Sequence, residues 1–82
     1  MEKIIIYTNE QCPYCKQVKE ELTKNEVVFE NRFTKDFELA WRDISGLTGM
    51  PTVPTIQYQD DYLVAGRDFP NPQALVNILK DY

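Results

Sequence analysis

The chain has 82 residues, a net charge of −4 and 43% hydrophobic residues, which suits a single small domain over residues 1–82. Its nine lysines and arginines are scattered, so no basic cluster is present to bind nucleic acid. Histidine is absent, which removes the commonest general base and the commonest metal ligand. The longest apolar run near the start, residues 4–7, is too short for a signal sequence or a membrane span.

The first half of the chain predicts a strand, a helix and a second strand. Residues 3–7 are apolar and β-branched, as in a strand buried on both faces. After a polar loop, Pro13 suits the first position of a helix that ends near Asn25. The apolar positions of this helix, at helical spacing, are Tyr14, Cys15, Val18 and Leu22. Residues 27–33 predict the second strand.

The middle of the chain predicts a second amphipathic helix. Thr34 or Asp36 is the candidate N-cap, and Gly46 is the candidate stop. Its apolar face consists of Phe37, Ala40, Trp41 and Ile44. Among the aromatic residues, Phe29, Phe37 and Trp41 are assigned to the core.

A hairpin and a last helix complete the chain. Residues 55–59 and 62–64 predict antiparallel strands joined by a weak turn at Asp60-Asp61. Asn71 and Pro72 then fit the N-cap and first position of a helix. Its buried residues are expected to be Leu75, Val76, Ile78 and Leu79. The order β-α-β-α-β-β-α predicts an α/β thioredoxin-like fold: a four-stranded mixed sheet flanked by helices.

The two cysteines of the chain lie in the sequence Cys12-Pro13-Tyr14-Cys15, where the first strand leads into the first helix. The amide groups at a helix N-terminus favour the thiolate, so Cys12 is the candidate nucleophile. Lys16 and Lys19 add positive charge that would stabilise it. Cys15, one turn into the helix, is the candidate resolving thiol; alternatively, both cysteines are simply small core residues. A disulfide between them closes too small a loop to brace the fold, which indicates a reducing, cytoplasmic compartment.

The chain resembles the glutaredoxin family. The resemblance rests on the cysteine tetrad preceded by Tyr7-Thr8, on Thr52-Val53-Pro54 and on Gly66-Arg67-Asp68, and it covers about residues 3 to 80. It implies a monomeric enzyme that reduces protein disulfides and glutathione mixed disulfides, with glutathione as reductant and no metal. Such an enzyme contributes to electron transport and to cell redox homeostasis.

The resemblance also implies a glutathione site. It predicts a cis Val53–Pro54 peptide bond, with the Val53 backbone free to pair with a substrate cysteine. The amides of residues 66–68 would bind the γ-glutamyl carboxylate, and Asp68 would accept from the ammonium group. The implied glutathione-binding residues are Tyr14, Arg42, Thr52, Val53, Pro54, Gly66, Arg67 and Asp68.

The chain departs from the family at three positions around this site. Asn9 stands where a lysine or arginine commonly precedes the nucleophile, and Arg42 is the candidate replacement for that cation. Ala65 replaces the first of two glycines, and Phe69 replaces an acidic residue. These changes leave a second interpretation open, in which a thioredoxin reductase supplies electrons for a client such as a ribonucleotide reductase. A third is a dimer that binds an iron–sulfur cluster with glutathione as co-ligand.

Overall fold

The chain alternates strands and helices in the predicted order. The computed structural model describes residues 4–59 and 61–81; Lys3 and Asp60, placed above in a strand and a turn, lie outside them. The elements are β1 (Ile4–Thr8), α1 (Pro13–Lys24), β2 (Phe29–Phe33), a 3₁₀ turn (Thr34–Asp36), α2 (Glu38–Thr48), β3 (Thr55–Tyr58), β4 (Asp61–Val64) and α3 (Pro72–Lys80). Within the described ranges, no helix combines the length and apolar character needed to cross a membrane.

The four strands form one mixed sheet in the order β2-β1-β3-β4. Strand β1 pairs in parallel with β2, with Ile6 opposite Asn31, and antiparallel with β3, with Tyr7 opposite Thr55. Strands β3 and β4 pair antiparallel. Since β1 ends where β3 begins, the loop after β1 and the residues before Thr55 lie at the same end of the sheet.

The main core lies on the face of the sheet that α1 and α3 cover. These two helices contact each other, and both supply fully buried residues. The buried cluster consists of Ile6, Val18, Leu22, Ile56, Leu63, Ala65, Phe69, Leu75, Val76 and Leu79. Helix α2 covers the opposite face, where Trp41 stacks on the buried Tyr7 with ring centroids 5.8 Å apart. The predicted burial of α3 is confirmed except at Ile78, which is half-buried.

The boundaries predicted for α2 are wrong at both ends. The helix continues past Gly46 to Thr48 and ends at Gly49, which has a φ of 73°. This left-handed conformation is the one that favours glycine at a helix terminus. At the start, Thr34 and Asp36 belong to the 3₁₀ turn, and Phe37 is the N-cap without a side-chain hydrogen bond.

Two other predictions around the sheet also fail. Strand β2 begins at Phe29, two residues later than expected, because the preceding residues close α1: the Val27 N–H donates to the Leu22 carbonyl at 2.9 Å. Phe37 is exposed at the start of α2, where the Arg32 guanidinium lies 4.7 Å from its ring centroid. Phe29 and Trp41, also assigned to the core, are half-buried.

Candidate active site

Cys12 occupies the N-cap position of α1. Its backbone is extended (φ −99°, ψ 107°), and its Sγ accepts a hydrogen bond from the Cys15 N–H at 3.2 Å. The sulfur therefore takes the place of the side-chain oxygen that usually caps a helix. Within the described residues, the Tyr14 N–H makes no hydrogen bond to this sulfur. Cys12 is partly exposed, so its sulfur remains accessible although it accepts a hydrogen bond from an amide.

Cys15 differs from Cys12 in its surroundings. It lies on the core side of α1 with 1% of its surface exposed, and both cysteines are free thiols. Burial raises the pKa of the Cys15 thiol to about 12, and the hydrogen bond with Cys12 acts in the same direction. Lys19 lowers this pKa but is outweighed. Cys15 is therefore protonated at neutral pH.

Asn9 organises the loop that precedes the nucleophile. Its backbone carbonyl accepts from the Cys12 N–H at 3.2 Å, and its side-chain Oδ1 accepts from the Gln11 N–H at 2.8 Å. The second bond closes an Asx turn. From the sequence alone, Asn9 is notable only as a missing cation. Its place two residues before Gln11 in a short polar loop was the signal for this role.

The two lysines that follow the cysteine pair have different surroundings. Lys16 is exposed, whereas the Lys19 ammonium lies 5.3 Å from the centroid of the Phe33 ring. Lys19 is near enough to the pair to act on the pKa of Cys15. Stabilisation of the Cys12 thiolate by Lys16 and Lys19 stays a prediction.

The Thr52-Val53-Pro54 segment leads into β3, at the sheet end where the cysteine loop lies. The Val53–Pro54 peptide bond is cis, as expected from the resemblance. Thr52 and Pro54 use their carbonyls internally, accepting from the Thr55 hydroxyl at 2.6 Å and from the Ala65 N–H at 3.3 Å. Among residues 4–59 and 61–81, neither the N–H nor the carbonyl of Val53 has a hydrogen-bond partner. Val53 thus offers one free donor and one free acceptor.

The turn of residues 66–68 is closed by its own hydrogen bonds. The Gly66 N–H donates to the Phe69 carbonyl at 3.0 Å, and the N–H groups of Arg67 and Asp68 donate to the Val64 carbonyl at 3.1 and 2.8 Å. In this conformation the three amides already have internal acceptors, so their binding of a glutathione carboxylate stays a prediction. Two of the three amides donate to the Val64 carbonyl at the end of β4. The motif Gly66-Arg67-Asp68 alone does not indicate these internal hydrogen bonds.

The side chains of the same turn are also engaged. Asp68 Oδ2 accepts from the Val64 N–H at 2.7 Å and from the Arg67 Nε at 3.0 Å. Arg67 also donates to the carbonyls of Thr48 and Tyr62 at 3.2 and 3.1 Å, which ties α2 to β4. Asp68 Oδ1 is the carboxylate oxygen left without a partner among the described residues.

Tyr14 and Arg42, also assigned to the glutathione site, lie in different environments. The Tyr14 ring is half-buried, with its centroid 6.5 Å from that of Phe69. Its hydroxyl is buried without a hydrogen-bond partner in the described chain, and burial raises its pKa. Phe69, 1% exposed, thus replaces the family's acidic residue as a core side chain. Arg42 is exposed on α2 and forms no side-chain hydrogen bond or ion pair among the described residues.

A pocket that sequence reasoning did not identify adjoins the cysteine loop. It has a volume of about 280 Å³, and the Lys35–Glu10 ion pair, 2.8 Å long, lies at its wall. Its lining residues are Thr8, Asn9, Glu10, Gln11, Phe33, Thr34 and Lys35. The pocket lies at the carboxyl ends of β1 and β2, where ligands of open α/β sheets usually bind.

These features define a thioredoxin-like α/β protein with a dithiol at the N-terminus of its first helix. The glutaredoxin family model matches residues 4–63, which is most of the chain, so the chain belongs to the glutaredoxin family. No curated relative matches it by sequence. In structure it is similar to a glutaredoxin from Archaeoglobus fulgidus, with a TM-score of 0.76 and 20% identity over 98% of this chain and 88% of the other. At that identity, the likeness shows the fold.

Proposed function

We propose that this chain is a glutathione-dependent thiol–disulfide oxidoreductase that reduces protein disulfides and glutathione mixed disulfides. The observation that carries the proposal is the difference between its two thiols. Cys12 is accessible and its sulfur accepts a hydrogen bond from an amide of α1, whereas Cys15 is buried with a pKa of about 12. In a pair of this kind, the accessible thiol is suited to attack a substrate disulfide, and the buried thiol is suited to resolve the mixed disulfide that forms.

In the first step, the Cys12 thiolate attacks one sulfur of the substrate disulfide. A bond forms between Cys12 Sγ and that sulfur, the substrate S–S bond breaks, and the other sulfur leaves as a thiolate that takes a proton from water. The Cys15 N–H at 3.2 Å stabilises the negative charge on Cys12 before the attack. Cys15, protonated and buried, does not compete at this stage.

In the second step, Cys15 resolves the mixed disulfide. Once Cys12 Sγ is bound to the substrate, burial still raises the pKa of Cys15, but the hydrogen bond and the charge of Cys12 no longer add to this effect, and Lys19 still lowers the pKa. Cys15 loses its proton to water, attacks Cys12 Sγ and releases the substrate thiolate. Two glutathione molecules then reduce the Cys12–Cys15 disulfide and leave as glutathione disulfide, which balances the two electrons.

Substrate alignment is assigned to Val53. Its N–H and carbonyl have no partner among the described residues, so a substrate cysteine can pair with them as an added strand. For glutathione, the further proposed contacts are Asp68 Oδ1 with the ammonium group and Arg42 with the glycine carboxylate. The ring of Tyr14 and the residues Thr52 and Pro54 would flank the tripeptide. We also propose that the protein is monomeric and cytoplasmic.

A second candidate keeps the chemistry and changes the reductant to a thioredoxin reductase. It is favoured by the closed turn, because the amides of residues 66–68 would have to leave their internal partners to bind a glutathione carboxylate. Asn9 supports it as well, since its side chain accepts from the Gln11 N–H and carries no positive charge.

A comparison of reductants tests the proposal. The protein is supplied with a peptide–glutathione mixed disulfide and NADPH, together with either glutathione and glutathione reductase or a thioredoxin reductase. NADPH consumption should be supported by the first pair, and Cys12→Ser should remove it. Turnover supported only by the thioredoxin reductase would replace the proposal with the second candidate, and no turnover in either arm would refute both.

A further inference from the structure

A groove lies along the exposed side of α1. It is lined by Lys16, Lys19, Glu20, Thr23 and Lys24 and has a volume of about 540 Å³. Three ammonium groups and one carboxylate give this lysine groove a net charge of +2 at pH 7, whereas the chain as a whole carries −4. The groove is therefore a positive surface on an acidic protein.

The charges of the lysine groove are not neutralised by ion pairs within the described part of the chain. Within residues 4–59 and 61–81, none of its three lysines forms an ion pair. The cations that do so lie elsewhere: Arg32 with Glu30, Lys35 with Glu10, and Arg67 with Asp68. The Phe33 ring holds the Lys19 ammonium at 5.3 Å by a cation–π contact, which also leaves its charge unneutralised.

The lysine groove begins beside the nucleophile. Lys16 lies one turn after Cys12, and its N–H donates to the Cys12 carbonyl at 3.3 Å. Lys24 ends the same helix, about 18 Å from Cys12 at 1.5 Å per residue. An extended peptide joined to Cys12 would cover this distance with about five residues.

From this juxtaposition we propose that the lysine groove docks client proteins that carry an acidic segment of about five residues next to the reactive cysteine. The proposal rests on the proposed function and adds the class of client. Charges of opposite sign across an interface raise the association rate and exclude partners of the wrong sign. A nucleic acid is a poorer occupant, since the remaining surface of a chain with net charge −4 would repel it.

Three synthetic peptides test the proposal. Each holds one cysteine in a mixed disulfide with 2-mercaptoethanol, next to five glutamates, five lysines or five serines. The reduced protein is mixed with each peptide in a single turnover, which requires no glutathione. At low salt we expect the glutamate peptide to react at least about 10-fold faster than the lysine peptide. The difference between the two rates should become smaller in 0.5 M NaCl.

Two matched variants locate the effect. Lys24→Glu should reduce the preference for the glutamate peptide several-fold and leave the serine peptide rate unchanged. Lys80→Glu is the control, since Lys80 is likewise an exposed lysine in the last turn of a helix but does not line the groove. It should leave the preference intact.

The outcomes separate the docking proposal from the function on which it rests. No reaction with the serine peptide would refute the proposed function. A normal serine rate with equal glutamate and lysine rates would refute docking alone, as would equal effects of Lys24→Glu and Lys80→Glu. A single-stranded oligonucleotide that inhibits the glutamate peptide reaction more strongly than free hexaglutamate would overturn the choice of an acidic protein.

Discussion

Two regions built from the motifs of the resemblance differ in the folded chain: the cysteine pair with Val53, and the turn of residues 66–68. Around the cysteine pair, polar groups remain available: Cys12 Sγ is partly exposed, and the Val53 backbone has no partner among the described residues. In the turn of residues 66–68, the three amides and Asp68 Oδ2 are engaged within the protein. A ligand can reach the first region without breaking hydrogen bonds, whereas a carboxylate at the second must compete with them. We therefore expect the first region to carry out the chemistry and the hydrogen bonds of the second to contribute mainly to stability.

The largest expected effect is at the cysteine pair. Cys12→Ser should lower the reduction rate of a glutathione mixed disulfide by about 10³-fold or more, because a serine hydroxyl does not replace the thiolate. Cys15→Ser should retain this activity, since a second glutathione can resolve the intermediate. Steady-state rates of both variants check the prediction. Equal loss in the two variants would instead indicate an obligatory dithiol route.

The next effect is on the stability of the turn. Asp68→Ala leaves the N–H of the buried Val64 without its acceptor and should lower the free energy of unfolding by about 1–3 kcal/mol. Asp68→Asn is the matched control, because its amide oxygen still accepts from Val64. Urea unfolding measures both variants. If Asp68→Ala unfolds like the unaltered protein, the structural role of the carboxylate is refuted.

A third effect is a dependence of stability on pH that originates from Cys15. Its pKa is raised from 9.0 to about 12 in the folded chain, so the unfolded state loses the proton first. The stability that protonated Cys15 contributes to the folded state is fully present below pH 9. It declines as the pH rises from 9 towards 12, by up to about 1.4 kcal/mol per pH unit. Urea unfolding of the reduced protein at pH 7 to 10.5, compared with Cys15→Ala, measures the difference. Parallel curves for the two proteins would contradict the assignment.

The smallest effect concerns Asn9. Asn9→Ala removes the hydrogen bond to the Gln11 N–H, which is worth about 0.5–1.5 kcal/mol, and should slow Cys12 alkylation by about 2- to 10-fold. Asn9→Ser should fall between alanine and asparagine, because a serine hydroxyl forms the same turn more weakly. Equal rates in all three proteins would show that the Asx turn does not position Cys12.

The sequence predicted the fold and the places of the cysteines because these depend on local patterns. Apolar spacing placed α1, and Asn71-Pro72 placed the start of α3. The cis Val53–Pro54 bond followed from the resemblance alone. The boundaries of α2 were missed because either Gly46 or Gly49 could end the helix, and only the folded backbone shows which one has a positive φ.

The sequence predicted which residues lie near the site better than it predicted the hydrogen bonds that they form. The engagement of Arg67 with Thr48 and Tyr62 depends on where α2 ends and on how β4 returns, and both are set by tertiary packing. Phe37 has the spacing of a core residue, yet it lies at the start of α2, where the helix begins to cover the sheet. Local spacing therefore identifies candidate residues, while tertiary packing decides which of their polar groups remain free.

The measurement that tests the central claim most directly is alkylation of the reduced protein with iodoacetamide at pH 6 to 8, followed by peptide mapping. The claim is that Cys12 is the attacking thiol and Cys15 the protonated, buried resolving thiol. The expected result is modification of Cys12 faster than that of free cysteine at pH 6, with Cys15 unmodified. Equal modification of the two thiols, or earlier modification of Cys15, would contradict the account.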